Sequence, residues 1–133
     1  SYVWADQKDR LARLDGAIAT ALEDPPLVER ADAADWLSRH LAESRHGRAT
    51  VIVHSIVWQY LKQAAKARIA TAIARRRAVA TVDAPLAWLR LEPEREAAGP
   101  GLRLTFWPGG EERLLGLGDY HGRRMTWLDH RRS

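Results

Sequence analysis

Ala49-Thr50-Val51-Ile52-Val53-His54-Ser55 is the stretch that decides the fold. Its first five residues are nearly continuous in apolar character, the pattern of a parallel strand covered on both faces. The run then stops in two polar residues and passes straight into a helical pattern. In α/β sheets ligands lie in the crevice outside the carboxyl ends of the strands. His54 and Ser55 therefore stand where such a sheet presents a site. No glycine-rich strand-to-helix turn precedes them, although that turn normally cradles a nucleotide in this architecture. The chain also opens Ser1-Tyr2-Val3-Trp4 without an initiator Met. The expectation is the second half of an α/β domain, with the glycine-rich half upstream.

Composition bounds the rest. At 133 residues with 46% hydrophobic character, the chain is one domain or a large part of one, and it can bury a core. It has no cysteine, which removes disulfides, thiolate nucleophiles and cysteine-ligated zinc, and fits a cytoplasmic location. No apolar run approaches the ~18 residues of a membrane span, so no membrane partner is expected. His40, His46, His54, His121 and His130 show neither a His-x-x-x-His pair nor an HExxH motif, so no metal site is expected. The net charge is +4 and the isoelectric point is near 10.0. Most basic residues alternate with acids. The exceptions are Arg75-Arg76-Arg77 and Arg131-Arg132. The triple Arg falls at a helix end, where cations complement the helix dipole. It is also the face on which nucleic-acid binding would rest.

Working outward from the central strand, Asp6 is a candidate N-cap for a helix from about Gln7 to Leu22, ended by Asp24-Pro25-Pro26. An extended piece, Leu27 to Arg30, leads to Asp32. A helix then starts near Ala34, with Trp36, Leu37 and Leu41 on its apolar face. After the strand, Ile56, Val57, Tyr60 and Leu61 have helical spacing, and Tyr60 is expected in the core. Gln63 to Arg77 follows as a second helical stretch with a stripe of Leu61, Ala65, Ile69 and Ile73. Leu86 to Leu91 reads as a strand, and Glu94 to Gly101 as a loop. Then the period becomes two: Leu102, Leu104 and Phe106 alternate with Arg103, Thr105 and Trp107. Turns at Pro108-Gly109-Gly110 and His121-Gly122 separate further strands, Glu112 to Tyr120 and Arg123 to Leu128. The expected architecture is α/β: a mixed sheet with helices on its faces and a C-terminal antiparallel meander.

Several strings resemble an uncharacterised bacterial family, domain of unknown function 2332. They are VWADQKDRLARLDGAIATAL (Val3 to Leu22), PPLVERADAADWL (Pro25 to Leu37), VIVHSIVWQYL (Val51 to Leu61), LAWLRLE (Leu86 to Glu92) and EERLLGLGDYHGRRMTWL (Glu111 to Leu128). The element order also resembles the latter part of a class I S-adenosylmethionine-dependent methyltransferase domain, a partial Rossmann-like fold. The resemblance implies S-adenosylmethionine as cofactor of the complete domain and methyl transfer to an unknown acceptor. It places the glycine-containing cofactor loop upstream of Ser1, so tight cofactor binding by this chain is not expected. The family often carries Pro-Pro after the Tyr-Leu that matches Tyr60-Leu61. Here Lys62-Gln63 stand there, so the two flanking helices are expected to merge.

On this resemblance Asp32, in the pair Asp32-Ala33, faces the adenosine side, where a carboxylate accepts from the exocyclic amine. The alternative role for Asp32 is to cap the helix that follows. His54, Ser55 and Glu92 line the acceptor side, with His54 suited to general-base work near neutral pH. The alternative has Ser55 capping the next helix and His54 packing. A hydrolytic role for His54 with Ser55 lacks a nucleophile elbow or an oxyanion motif. Unpaired strand edges in a partial sheet lead to the expectation of a homodimer. A non-enzymatic module binding nucleic acid or protein through the basic face is the competing reading.

Overall fold

In the computed structural model, all residues except 1, 2, 5, 96, 98, 121, 122 and 129–133 are described. The expected turn at His121-Gly122 and the tail with His130 and Arg131-Arg132 lie outside the described residues. The chain forms two compact units, residues 1–31 and 32–133.

The first unit contains α1 (Lys8–Glu23). Its N-cap is Gln7 and not Asp6, and no side chain caps it. The Gln7 amide oxygen is taken instead by Arg10, at 2.6 Å. Although Leu14, Ile18 and Leu22 share a stripe, all three are exposed, and no residue of α1 is buried. The segment expected to be extended, Leu27 to Arg30, forms no strand and its Leu27 and Val28 are exposed. Pro25 and Pro26 just before it have no N–H to offer a ladder.

The second unit runs α2 (Ala33–His40), β1 (Thr50–Ser55), a 3-10 turn (Trp58–Tyr60), α3 (Gln63–Ala78), β2 (Leu86–Pro93), β3 (Pro100–Trp107), β4 (Glu112–Gly118) and β5 (Met125–Trp127). The sheet is open, mixed and strictly sequential, β1-β2-β3-β4-β5. β1 and β2 are parallel, which requires a long crossover, and α3 supplies it. The remaining pairs are antiparallel, as period-two alternation and tight turns dictate.

Register decides which side chains meet the helices. Ile52 lies opposite Trp88, and Leu86 opposite Trp107, so these four share one face. Ile69, Ala72 and Ile73 of α3, Ala34 of α2 and Leu41 at the C-cap of α2 pack with Ile52 and Leu86 into one core, flanked by Trp58, Trp88 and Trp107. The expected α3 stripe is therefore the buried one. The expectation that β1 is covered on both faces fails. Val51 and Val53, on the other face, are 55% and 65% exposed, and Phe106 is also exposed. Both α2 and α3 pack on a single side, and β1 is an edge strand, so apolar continuity there does not report two-sided burial.

The expected merger of the two helical stretches also fails. Only one 3-10 turn forms after β1, and Leu61 and Lys62 are both extended, with ψ of 137° and 150°. Leu61 turns inward against the core, which breaks the helix without proline. Among the described residues, no helix is long and apolar enough to cross a membrane.

Candidate functional site

The carboxyl ends of the parallel pair, β1 and β2, hold the candidate site. His54 shares the helix-covered face with Ile52 and lies opposite Arg90 in register. Glu92 is two residues beyond Arg90, so strand alternation returns it to that face. The two side chains, 38 positions apart, meet with His54 Nδ1 at 2.7 Å from Glu92 Oε1. The same oxygen accepts the N–H groups of Val57 and Trp58, each at 3.1 Å. One carboxylate oxygen thus fixes the imidazole and anchors the start of the 3-10 turn.

This arrangement assigns the tautomer. Oε1 already accepts two amide protons, so the proton in the contact belongs to His54 Nδ1, and in the neutral imidazole Nε2 is the atom with the lone pair. Both side chains are 15% exposed. Trp58 stacks on the imidazole with centroids 5.5 Å apart, and Trp88 tilts against it at 5.9 Å. Three buried polar atoms here have no hydrogen-bond partner: His54 Nε2, Glu92 Oε2 and Trp88 Nε1. Buried polar atoms are nearly always paired, so three together single out this cluster. Arg90 covers the outer side of Trp88 at 4.2 Å, a cation–π contact, and pairs with Glu112.

The link between β1 and the turn is strained. Ile56 has φ of 48°, a conformation that costs a β-branched residue about 1–3 kcal/mol. Ile56 donates to Leu91 O at 2.9 Å, and the next two amides are tied to Glu92. The strain is therefore held from β2.

The other expected residues separate from this cluster. Ser55 is next in the strand, so it is on the opposite face from His54, and it is exposed. It does not cap the 3-10 turn, whose N-cap is Val57. Asp32 is the N-cap of α2: its Oδ1 accepts from Ala34 N and Asp35 N, each at 3.0 Å. Arg68 Nη1 lies 3.9 Å from the same oxygen. Among the described residues no strand precedes Asp32, and Ala33 is the exposed first residue of the helix. Asp32 thus serves the helix start through Oδ1, the second of its two expected roles, and it follows no described strand. Tyr60, expected in the core, is exposed. The expected basic face loses its middle member, because Arg76 is buried. The roles of Trp58 and Trp88 were missed. Their signal is parity and spacing: Trp58 is four residues after His54, and Trp88 shares a strand face with Glu92.

The model of one family, described as an uncharacterized protein conserved in bacteria (domain of unknown function 2332), matches residues 1–127. The chain belongs to that family. No curated protein and no solved structure matches the chain. Family membership carries no chemistry by itself, since a fold does not fix a function.

Proposed function

We propose that the His54–Glu92 pair is the proton-accepting half of a methyltransferase-like site. His54 Nε2 is the general base toward the methyl acceptor, and Glu92 is its positioning residue. The observation that carries this reading is the 2.7 Å contact at the carboxyl ends of two adjacent parallel strands, with Nε2 left unpaired. In the proposed step, an O–H or N–H proton of the acceptor passes to Nε2 and leaves the acceptor as nucleophile. Glu92 stays ionised and stabilises the imidazolium, while the Trp58 and Trp88 faces favour a flat acceptor. Nε2 has no accessible surface, so the side chains around it must open to admit the acceptor. S-adenosylmethionine is the methyl donor that the family resemblance implies, and Asp32 and Ala33 are not its ligands in this reading.

The test is nitrogen-15 NMR of the His54 ring during titration with S-adenosylhomocysteine. The expected result is an unprotonated Nε2 and millimolar binding that shifts His54, Trp58 and Trp88 but not Asp32. A protonated Nε2, or silence at these residues at millimolar ligand, would sink the proposal.

A second reading rests on the exposure of Val51 and Val53 and on the outer edge of β1, which no described strand pairs. Thr50–Ser55 carries no Lys, Pro or bulge of the kind that blunts an edge strand. A second copy of the chain can add the same strand antiparallel across a two-fold axis. Sedimentation then shows a concentration-dependent dimer that Val53→Lys disperses. A monomer at all concentrations contradicts the reading.

A further inference from the structure

Among the described residues, a buried positive charge with no carboxylate partner lies between α2 and α3, on a residue the proposed function does not use. A cavity of about 620 Å³ opens there. That is the volume of a small-molecule site. Arg68, Arg75 and Arg76 are among its lining residues, and no acidic residue is. Arg68 is committed outward to Asp35. Arg75 is exposed and ion-paired with no described residue.

Arg76 is the anomaly. It is 1% exposed, yet its one hydrogen bond runs from Nη2 to Ala84 O at 3.1 Å. Nε and Nη1 have no partner. A buried charge without a counter-ion is costly, and arginine does not shed its charge on burial as lysine can. A residue chosen only to fill this place would be apolar, like its neighbours Ala72 and Ile73. The rest of the cavity wall is mostly apolar, including Leu41, Ala72 and Val79, with Ser38 and Thr71 as its uncharged polar members.

We infer that this cavity binds an organic phosphate monoester, its dianionic head between Arg75 and Arg76 and its apolar body along Leu41 and Val79. A dianion balances both unpaired guanidiniums at once, which a single carboxylate does not. Nε and Nη1 have no accessible surface in this conformation. The head therefore meets Arg75 first, and the long Arg76 side chain turns toward the cavity that it lines.

Phenyl phosphate is the probe, with inorganic phosphate, benzoate and sulfate beside it, read by thermal shift and calorimetry on the whole chain. A ligand that binds the folded state alone raises Tm saturably. Phenyl phosphate is expected to do so, more strongly than inorganic phosphate and sulfate, which lack the apolar body, with benzoate, a single negative charge, weakest. Arg75→Gln, at an exposed position, is expected to raise Kd about tenfold or more, as loss of a charge-assisted hydrogen bond does. Arg76→Met removes the charge and keeps the packing. It is expected to abolish the shift while Tm without ligand holds or rises. If Arg76→Met does not fold, Arg75→Gln decides alone. No saturable rise at millimolar probe, or a rise that Arg75→Gln leaves unchanged, overturns the inference. Equal responses to benzoate and phenyl phosphate overturn the phosphate assignment.

Discussion

Glu92 and Glu94 stand two residues apart at the end of β2, and the chain uses them in opposite ways. Glu94 is saturated. Arg103 Nε donates to Oε1 at 2.6 Å and Nη2 to Oε2 at 3.1 Å, while Nη1 reaches on to Glu112 at 2.9 Å. That network lies toward the surface, and each carboxylate oxygen of Glu94 has its donor. At Glu92 one oxygen accepts three bonds and the other none, inside an aromatic wall. The lesson is that charge pairing alone does not mark a site. An evenly satisfied pair holds two strands together. An unevenly satisfied one holds a histidine in a chosen tautomer and leaves polar atoms unspent.

Glu92→Ala tests the larger side of this contrast. It strands His54 Nδ1 in a buried setting and frees the two amides that restrain the strained Ile56 turn. Leaving buried groups unpaired costs about 1–3 kcal/mol each, and the exposed Val57 amide is partly relieved by water. Urea unfolding is expected to show a loss of about 2–4 kcal/mol. Glu92→Gln keeps an accepting oxygen and is expected to lose less than half of that. If the Ala variant costs under about 1 kcal/mol, the strain at Ile56 is held by something other than Glu92.

Asp32 is the control on burial. Like Glu92 Oε1, its Oδ1 accepts two backbone N–H groups, but locally and in the open. Asp32→Ala is expected to cost about 1 kcal/mol, the ordinary loss of an N-cap, and Asp32→Asn a few tenths. Neither variant is expected to move the His54 ring resonances. A shift there would tie Asp32 to the site after all.

How much of this was legible in the sequence follows from the range of the interactions. Local rules found α1, α3, the parallel strand and the antiparallel meander, because periodicity and turn residues act within a few positions. They also offered both roles of Asp32, and the helix cap is the one the structure shows. His54 and Glu92 were each named from strand ends. Their contact depends on the β1–β2 register, which no local pattern encodes. Ser55 was named by adjacency to His54, but strand parity sends neighbours to opposite faces. Apolar continuity in Thr50–Val53 misled about coverage, because an edge strand is apolar for its single core face and for whatever pairs with it. Arg76 read as part of a basic run, yet the α3 stripe through Ile69 and Ile73 continues at that position and carries it inward.

The smallest expected effect belongs to the saturated pair. The hydrogen bond from Arg103, more than its charge, holds the Glu94 carboxyl below its ordinary value of 4.5, against a burial cost that acts the other way. The Glu94 bond in turn raises Arg103. Folding therefore favours the Glu94 carboxylate. The stability from this pair is fully present above the ordinary carboxylate value and drains away as pH falls through the depressed folded value. Both partners are partly solvated, so screening limits the pair to about 0.5–1 kcal/mol. Glu94→Gln is expected to lose that amount at pH 7, and the two unfolding curves should converge as the medium is acidified below the ordinary carboxylate range. A gap that persists in acid would sink the electrostatic account, because glutamine has the shape of the protonated acid; packing is read separately at Gly101, where an added Cβ would collide with the Glu94 side chain. Gly101→Ala displaces Glu94 from Arg103, so it is expected to cost at least as much as Glu94→Gln at pH 7 and, unlike it, to keep a steric cost in acid.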